Sequence, residues 1–224
     1  MGQDIQLTAG DGHLVEAYRV DPQGAPKGGV VVIQEIFGVN VHIRDVCDRY
    51  AEAGYTAIAP ALFDRHERGV DLGYEADDIA VGRVLKEKAA EDYDKVMMDV
   101  EAARLAIADV GKTGIVGYCW GGVVVWLAAC RSSYAAASSY YGAGIVPLKD
   151  ETATCPVMMH FGENDTSIPL SDVEIIGKAN PDVEIFTYDA GHGFNCDRRG
   201  SYDAEATSLA TSRTLALFNK HVAA

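Results

Sequence analysis

Residues 113–131 have the sequence TGIVGYCWGGVVVWLAACR, and this segment limits the fold classes that the chain can adopt. Thr113–Tyr118 is apolar and rich in β-branched side chains, which is typical of a strand buried on both faces of a sheet. Gly121–Arg131 has the composition of a buried helix. Cys119 lies between the two elements, so we expect a tight turn that passes directly from strand to helix.

Strands and helices are predicted to alternate on both sides of this segment. Further strands are predicted at 28–33, 55–62, 135–141, 156–161 and 183–188, and helical stretches at 40–53, 74–110, 170–179 and 202–222. At the N terminus, Gln3–Ala9 and His13–Val20 flank a Gly-Asp-Gly turn and predict an antiparallel β-hairpin. The pattern indicates an α/β protein with a doubly wound, mostly parallel sheet after that hairpin, and we expect residues 1–224 to form a single domain.

The composition is that of a globular protein, with 48% hydrophobic and 23% charged residues among 224. Acidic residues outnumber basic ones by 33 to 19, which gives a formal charge of −14. Because this charge repels phosphate backbones and anionic lipids, we expect neither a nucleic-acid nor a membrane partner. The first twenty residues contain charges and lack the apolar core of a signal peptide, so we expect a cytoplasmic protein.

The cysteines and histidines do not have the spacing of known metal sites. The five cysteines are widely separated without a C-x-x-C pair, and the six histidines form no H-E-x-x-H motif. We therefore expect no metal ion and no disulfide framework. The sequence Gly111-Lys112-Thr113 resembles the end of a phosphate-binding loop, but Ala106 stands where that motif requires glycine, and we expect no cofactor.

The turn at Gly117-Tyr118-Cys119-Trp120-Gly121 matches the nucleophile elbow G-x-S-x-G with cysteine in place of serine. The two glycines leave room for a strained turn that lifts the thiol above the sheet. The thiol would also lie at a helix N terminus, where the helix dipole favours the thiolate. A small buried cysteine in a tight turn remains the alternative interpretation of the same residues.

A nucleophile of this kind needs a base and a group that orients the base. Asp165 follows the predicted strand at 156–161, and His192 follows the predicted strand at 183–188. Both would therefore lie with Cys119 at the carboxyl edge of the sheet, in the chain order nucleophile, acid, histidine. A cap carboxylate and a loop histidine are the alternatives for each residue taken alone. The oxyanion donors would be the N–H of Trp120 and an N–H within residues 34–38.

Four motifs together resemble the dienelactone hydrolase family of α/β-hydrolases: QEIFG at 34–38, GYCWGG at 117–122, GENDTSIP at 162–169 and GHGFNCDRRGSY at 191–202. The resemblance covers nearly the whole chain in order. Members of this family hydrolyse the lactone ring of carboxymethylenebutenolides through a Cys-His-Asp triad. The resemblance implies an α/β-hydrolase fold with Cys119 as nucleophile, His192 as base and Asp165 as the residue that orients it.

The resemblance also implies roles for residues around the triad. Ile36 and Trp120 would supply the oxyanion N–H groups. Glu35 matches a family glutamate that contacts the resting cysteine, and an ion pair with a nearby arginine is the alternative for this residue. Tyr141 matches a tyrosine of the substrate pocket. Phe37, next to Ile36, is also placed in the substrate pocket.

Two family arginines hold the carboxylate of the substrate, and this chain matches only one of them directly. Arg83 corresponds to the first arginine. The second would stand four residues after the catalytic histidine, where this chain has Cys196. Arg198 or Arg199 would have to reach the site instead, and solvated surface charge is the alternative for all three arginines.

The sequence therefore predicts a cysteine hydrolase of small esters or lactones that works through a thioester intermediate. A monomer or small homo-oligomer is expected. A broad-specificity carboxylesterase without a requirement for a substrate carboxylate is one alternative. A non-catalytic protein in which Cys119 senses redox state is another.

Overall fold

A computed structural model describes residues 2–223, in which eight strands form one sheet in the order β1-β2-β4-β3-β5-β6-β7-β8. The strands are β1 (Gln3–Thr8), β2 (Leu14–Val20), β3 (Gly29–Ile33), β4 (Thr56–Pro60), β5 (Thr113–Tyr118), β6 (Ala136–Tyr140), β7 (Val157–Gly162) and β8 (Glu184–Tyr188). β2 is antiparallel to both β1 and β4, and every other neighbouring pair is parallel. The predicted α/β fold with an antiparallel N-terminal hairpin is confirmed.

Six α-helices and two short 3₁₀ segments connect these strands within the described residues. The helices are α1 (Val41–Glu52), α2 (Ala76–Ala90), α3 (Tyr93–Ala106), α4 (Trp120–Arg131), α5 (Leu170–Ala179) and α6 (Ala204–His221), and the 3₁₀ segments are Ala108–Val110 and Val146–Leu148. None of the helices among residues 2–223 combines the length and the apolar composition needed to span a lipid bilayer.

The core lies on both faces of the central strands. Every residue of β3, β4, β5, β6 and β7 is buried, as the continuous apolar runs predict. α4 packs against this sheet with ten of its 12 residues buried. Because full burial of one Val or Ile side chain stabilises the fold by roughly 1.5–3 kcal/mol, these strands form the rigid centre on which the connecting loops are built.

The predicted helical stretch at 74–110 is two helices in the structure. α2 ends at Ala90, and α3 begins at Tyr93 after a cap at Asp92, whose carboxylate accepts a hydrogen bond from the Lys95 N–H at 3.2 Å. An aspartate in this position favours a helix start, because it satisfies an N–H that has no partner within the helix. Val96, Val100 and Ala103 of α3 are buried and face the core.

α4 approaches the sheet so closely that its first turn contacts strand backbone. A Cβ atom on Gly121 would overlap the carbonyl oxygen of Gln34 and would lie 2.7 Å from that of Ile33. A Cβ on Gly117, at the end of β5, would overlap the carbonyl oxygen of Gly121. The two glycines thus allow the start of α4 to lie against the carboxyl ends of β3 and β5, which places Cys119 above the sheet.

Replacement of Gly121 by alanine is expected to destabilise the protein, because the new methyl group meets backbone that cannot move aside. We expect the free energy of unfolding to fall by about 1–3 kcal/mol, the usual cost of overpacking a core. Urea denaturation of Gly121→Ala would measure this change. Gly10→Ala is the matched control, since a Cβ at Gly10 has no atom within 4 Å. Equal stability of both variants would contradict the prediction.

Candidate active site

Cys119 occupies the turn between β5 and α4 in a backbone conformation that few residues adopt. Its φ is 56° and its ψ is −119°, and its N–H donates to the Tyr140 carbonyl at 3.0 Å. Such conformations in non-glycine residues cost on the order of 1–3 kcal/mol and persist where the surrounding structure fixes them. The turn leaves the Cys119 side chain half-buried at the carboxyl edge of the sheet.

Three predicted site residues come together at this edge. His192 Nε2 lies 3.1 Å from Cys119 Sγ, and His192 Nδ1 lies 2.7 Å from Asp165 Oδ2. Asp165 follows β7 and His192 follows β8, so the side chains converge from the carboxyl ends of β5, β7 and β8. Sulfur, imidazole and carboxylate therefore form one continuous chain of hydrogen bonds.

The segment that carries Asp165 folds so that its carboxylate is held rigidly. Oδ1 accepts hydrogen bonds from the backbone N–H groups of Ser167 at 2.7 Å and Ile168 at 3.2 Å. The Asp165 side chain is inaccessible to solvent. Since Oδ1 is occupied by backbone donors, Oδ2 is left to His192, and this fixes the orientation of the imidazole ring.

The electrostatic surroundings of His192 favour its protonated form. Burial lowers the pKa of His192, but the hydrogen bonds to Asp165 and Cys119 outweigh that effect and raise the pKa to about 10. The ion pair with Asp165 is shielded from water, because the side chains of His192 and Asp165 are 16% and 0% exposed. An imidazolium at this position can stabilise negative charge on the neighbouring sulfur and can donate a proton to a leaving group.

The two predicted oxyanion donors lie in rigid surroundings. Within residues 2–223, the backbone N–H groups of Ile36 and Trp120 donate no hydrogen bond to other parts of the chain. The Ile36 backbone is in close contact with α2, because a Cβ on Gly82 would overlap the Ile36 carbonyl oxygen. The Trp120 ring stacks on Phe63 at a centroid distance of 5.3 Å. Both N–H groups are thus available to a hydrogen-bond acceptor outside the chain. Packing of the neighbouring groups holds them in place.

Glu35 contacts an arginine in the structure rather than the resting cysteine. The side chain is 1% exposed, and its Oε1 accepts from Arg199 Nη1 at 3.3 Å. Its Oε2 has no hydrogen-bond partner among the described residues, whereas the Cys119 thiol is hydrogen-bonded to His192. Among residues 2–223, therefore, no hydrogen bond joins Glu35 to Cys119, and the arginine pairing is the one observed. The physical reason is that a buried carboxylate needs a counter-charge, which Arg199 provides.

The arginines considered from the sequence lie in different surroundings. Arg83 is exposed on α2, and it forms no ion pair within the described chain. Arg198 is paired with Asp45 at the surface, at 3.0 Å. Only Arg199 reaches Glu35, while Cys196 is fully buried. Sequence reasoning could not choose between Arg198 and Arg199, because both lie in one short turn-rich segment.

Aromatic side chains form one wall of the site. Tyr141 has a φ of 38° and packs edge-on against the His192 ring at a centroid distance of 5.2 Å. Its buried hydroxyl has no hydrogen-bond partner among residues 2–223. Phe37 is 2% exposed, and the Arg199 guanidinium lies 5.8 Å from its ring centroid. Tyr141 and Phe37 were both expected to line the substrate pocket. Tyr141 thus lies next to the triad, and Phe37 lies next to Arg199.

His42 has a buried position that the sequence analysis did not single out. The residue is in the first turn of α1 with 0% exposure, and neither ring nitrogen has a hydrogen-bond partner in the described chain. The only sequence signal was its place beside Ile43 on the apolar side of α1. Spacing between histidines could not reveal it, because its polar neighbours come from distant segments.

Comparison with known proteins gives a consistent result. The model of the dienelactone hydrolase family matches residues 15–222. A carboxymethylenebutenolidase of Pseudomonas putida is 32% identical over 95% of this chain and 94% of its own length. A Synechocystis protein, provisionally named a carboxymethylenebutenolidase, is 40% identical over 96% of this chain and 92% of its own.

Solved structures show the same likeness. A Klebsiella pneumoniae protein, provisionally named a dienelactone hydrolase, superimposes with a TM-score of 0.87 at 30% identity, with 99% of both chains covered. An esterase of Pyrococcus furiosus has a TM-score of 0.71 at 13% identity, covers 99% of this chain and 93% of its own, and shares the fold alone. These likenesses confirm the α/β-hydrolase fold and a hydrolase acting on ester bonds.

Replacement of Asp165 by asparagine is expected to lower the pKa of His192 from about 10 by roughly 1–3 pH units, because the imidazolium loses its carboxylate partner. NMR titration of the His192 ring would measure the change. A pKa raised by folding stabilises the protein at low pH, so wild-type stability should fall as the pH rises from 6.5 towards 10. In the variant this fall should end at the lower pKa of its His192. Asp172→Asn, on α5, is the control. An unchanged His192 titration in Asp165→Asn would contradict the assignment.

Proposed function

The chain belongs to the dienelactone hydrolase family, and we propose that it hydrolyses small esters or lactones through Cys119, His192 and Asp165. The observation that carries this proposal is the continuous hydrogen-bond chain from Asp165 through His192 to the Cys119 sulfur. We assign the reaction to one domain, residues 1–224, because the elements that carry these residues belong to one sheet. The reaction needs no cofactor.

In the first step, the Cys119 sulfur attacks the carbonyl carbon of the substrate. His192 Nε2 holds the proton that the thiol gives up, and the electron pair of the carbonyl double bond moves onto oxygen. The N–H groups of Ile36 and Trp120 stabilise this oxyanion. The C–O bond to the leaving alcohol then breaks, and His192 donates its proton to that oxygen. With a lactone, the alcohol remains attached to the acyl group.

In the second step, water hydrolyses the thioester. His192 accepts a proton from the water as its oxygen attacks the acyl carbon, and the C–S bond breaks as the second tetrahedral intermediate collapses. The sulfur recovers the proton from His192, and the carboxylic acid product is released. Asp165 holds the ring in one orientation through both steps and stabilises each imidazolium. One oxyanion donor typically contributes about 3 kcal/mol to such a transition state.

Substrate preference is assigned to Arg199 rather than to Arg83. The Arg199 side chain is 20% exposed and lies against Phe37 and Glu35, whereas Arg83 is exposed on α2. Arg199 donates to Glu35 only through Nη1, so its other N–H groups could donate to a substrate carboxylate while Glu35 keeps its counter-charge. Arg199 would thereby replace the second family arginine, whose position is taken by Cys196.

A broad-specificity carboxylesterase is the second candidate, and the Glu35–Arg199 ion pair favours it. Because the Arg199 charge already has a partner, a neutral ester can bind without leaving a buried charge unpaired. The redox-sensor alternative is not retained, since the family shown by the comparisons consists of hydrolases.

Cys119→Ala is expected to lower kcat/KM for p-nitrophenyl acetate by at least about 10³-fold, since the variant has no nucleophile. Cys130→Ala, a half-buried cysteine at the far end of α4, should retain wild-type activity and serves as the matched control. Thermal denaturation would verify that both variants fold. Activity of Cys119→Ala within tenfold of wild type would contradict the assignment of the nucleophile.

Loss of Arg199 is expected to affect anionic substrates selectively. Removing the arginine alone would strand the buried Glu35 carboxylate, so the test compares Glu35→Gln/Arg199→Met with Glu35→Gln. The double variant should lose about 10- to 150-fold in kcat/KM for a lactone that carries a carboxylate, which corresponds to roughly 1.5–3 kcal/mol for one charge-assisted hydrogen bond. Neutral esters should change much less.

Two surface variants complete this comparison. Arg198→Ala is the control, because Arg198 pairs with Asp45 outside the site. Arg83→Ala should have a smaller effect than the loss of Arg199. If Arg83→Ala lowers kcat/KM for the anionic lactone more than the loss of Arg199 does, Arg83 binds the substrate carboxylate. Equal losses for the anionic lactone and for neutral esters would mean that Arg199 has a structural role.

A further inference from the structure

Glu35, His42 and Cys196 form a buried cluster of potential metal ligands that the proposed reaction does not use as a set. Each residue offers one ligand atom: a carboxylate oxygen, a ring nitrogen and the sulfur. These three atoms lie within 4.8 Å of one another. The three residues come from the segment after β3, from α1 and from the segment after His192. We propose that these three side chains bind a zinc ion, at a site distinct from the Cys119–His192–Asp165 triad. The inference does not rest on the proposed hydrolysis.

A second observation points to a ligand at this place. Glu35 Oε2 and His42 Nε2 have no hydrogen-bond partner among residues 2–223, and His42 Nδ1 has only the Asp197 carboxylate, at 3.6 Å. Glu35 and His42 are 1% and 0% exposed. Buried polar side-chain atoms are nearly always bonded, so several such atoms in one cluster require an explanation. A cation coordinated by a carboxylate oxygen and an imidazole nitrogen would satisfy both residues.

The chemistry of the ligand set favours zinc over other common cations. Thiolate and imidazole are ligands of zinc, whereas magnesium and calcium prefer oxygen. Glu35 and the Cys196 thiolate carry two negative charges that offset a divalent cation, with Arg199 remaining as a second cation on Glu35 Oε1. On binding, the thiol proton is released to solvent and no oxidation state changes. Ligand atoms of a tetrahedral zinc site lie roughly 3.5 Å apart, so the side chains would close by about 1 Å around the ion.

The surroundings of His42 and Glu35 are also those of a metal site. The carboxylate of Asp197 lies 3.6 Å from His42 Nδ1 and is held by Arg49 at 3.0 Å. A carboxylate near one ring nitrogen favours the tautomer in which the other nitrogen is free to bind a metal. Arg199 contacts Oε1 of Glu35 and leaves Oε2 available.

A bound ion would add a further link between three segments that ion pairs already join, among them Glu35–Arg199, Asp45–Arg198 and Arg49–Asp197. The segment after β3 carries Ile36, and the segment after His192 carries Arg199. An ion bound only by the folded protein would raise the temperature of unfolding in proportion to the logarithm of its concentration. The site would therefore act on stability and on the position of Glu35.

Co²⁺ is the probe for the test, because a thiolate bound to Co²⁺ gives a charge-transfer absorption band. Cys119→Ala is the starting variant, so that the triad cysteine cannot contribute the band. After treatment with a chelator, this protein should bind one equivalent of Co²⁺ with the thiolate band, and Zn²⁺ should displace it. Adding Cys196→Ala to this variant should remove the band and weaken Co²⁺ binding by about 100-fold or more. A loss of that size exceeds the one expected for a residue that only supports a ligand, which is about 10- to 100-fold.

Cys119→Ala/Cys47→Ala is the matched control, because Cys47 is a fully buried thiol of α1 outside the cluster. It should keep the band and the affinity. Circular dichroism would verify the fold of each variant, and His42→Gln gives a second test with Cys196 in place: it should weaken binding at least tenfold. A band that survives Cys196→Ala, or no stoichiometric binding by Cys119→Ala, would overturn the proposal.

Discussion

The contact between the first turn of α4 and the carboxyl end of β3 determines the geometry of the whole site. The contact is backbone against backbone, and it is possible only because Gly121 has no side chain. It holds Cys119 in a conformation with positive φ that an unconstrained chain would leave. It also places the carbonyl groups of Ile33 and Gln34, which precede Ile36, against the first turn of α4 that begins at Trp120. The nucleophile and both candidate oxyanion donors therefore depend on a single close approach of a helix to a strand.

Charge within the site is organised around two buried carboxylates with different surroundings. Asp165 accepts two backbone hydrogen bonds and a third from His192, so each of its oxygens has a partner. Glu35 has a guanidinium on one oxygen and no hydrogen-bond partner for the other among residues 2–223. The first arrangement is complete and fixes one orientation of the imidazole. The second is incomplete, which leaves Glu35 able to take a further partner, such as an ion.

The sequence was sufficient for those features that depend on local pattern. The apolar runs predicted the parallel strands, and the order of Cys119, Asp165 and His192 at strand ends predicted which side chains would meet. Local pattern did not show the end of α2 before Asp92, because helix-forming residues continue on both sides of that cap. An arginine partner for Glu35 was one of the two interpretations of the sequence, but local pattern could not show that this arginine is Arg199 or that His42 lies near Cys196. These contacts join segments far apart in the chain, and only the packing of the sheet and helices determines them.

The contact between Gly82 and the Ile36 carbonyl has a mechanical consequence. No side chain separates α2 from this backbone, so a displacement of the helix is transmitted to the peptide groups around Ile36 without a deformable layer between them. α2 carries Arg83 and the exposed side chains Val81 and Val84 on its outer surface. A displacement of α2 would thus change the direction of the peptide groups around Ile36, including the N–H proposed as an oxyanion donor, without any contact with Cys119.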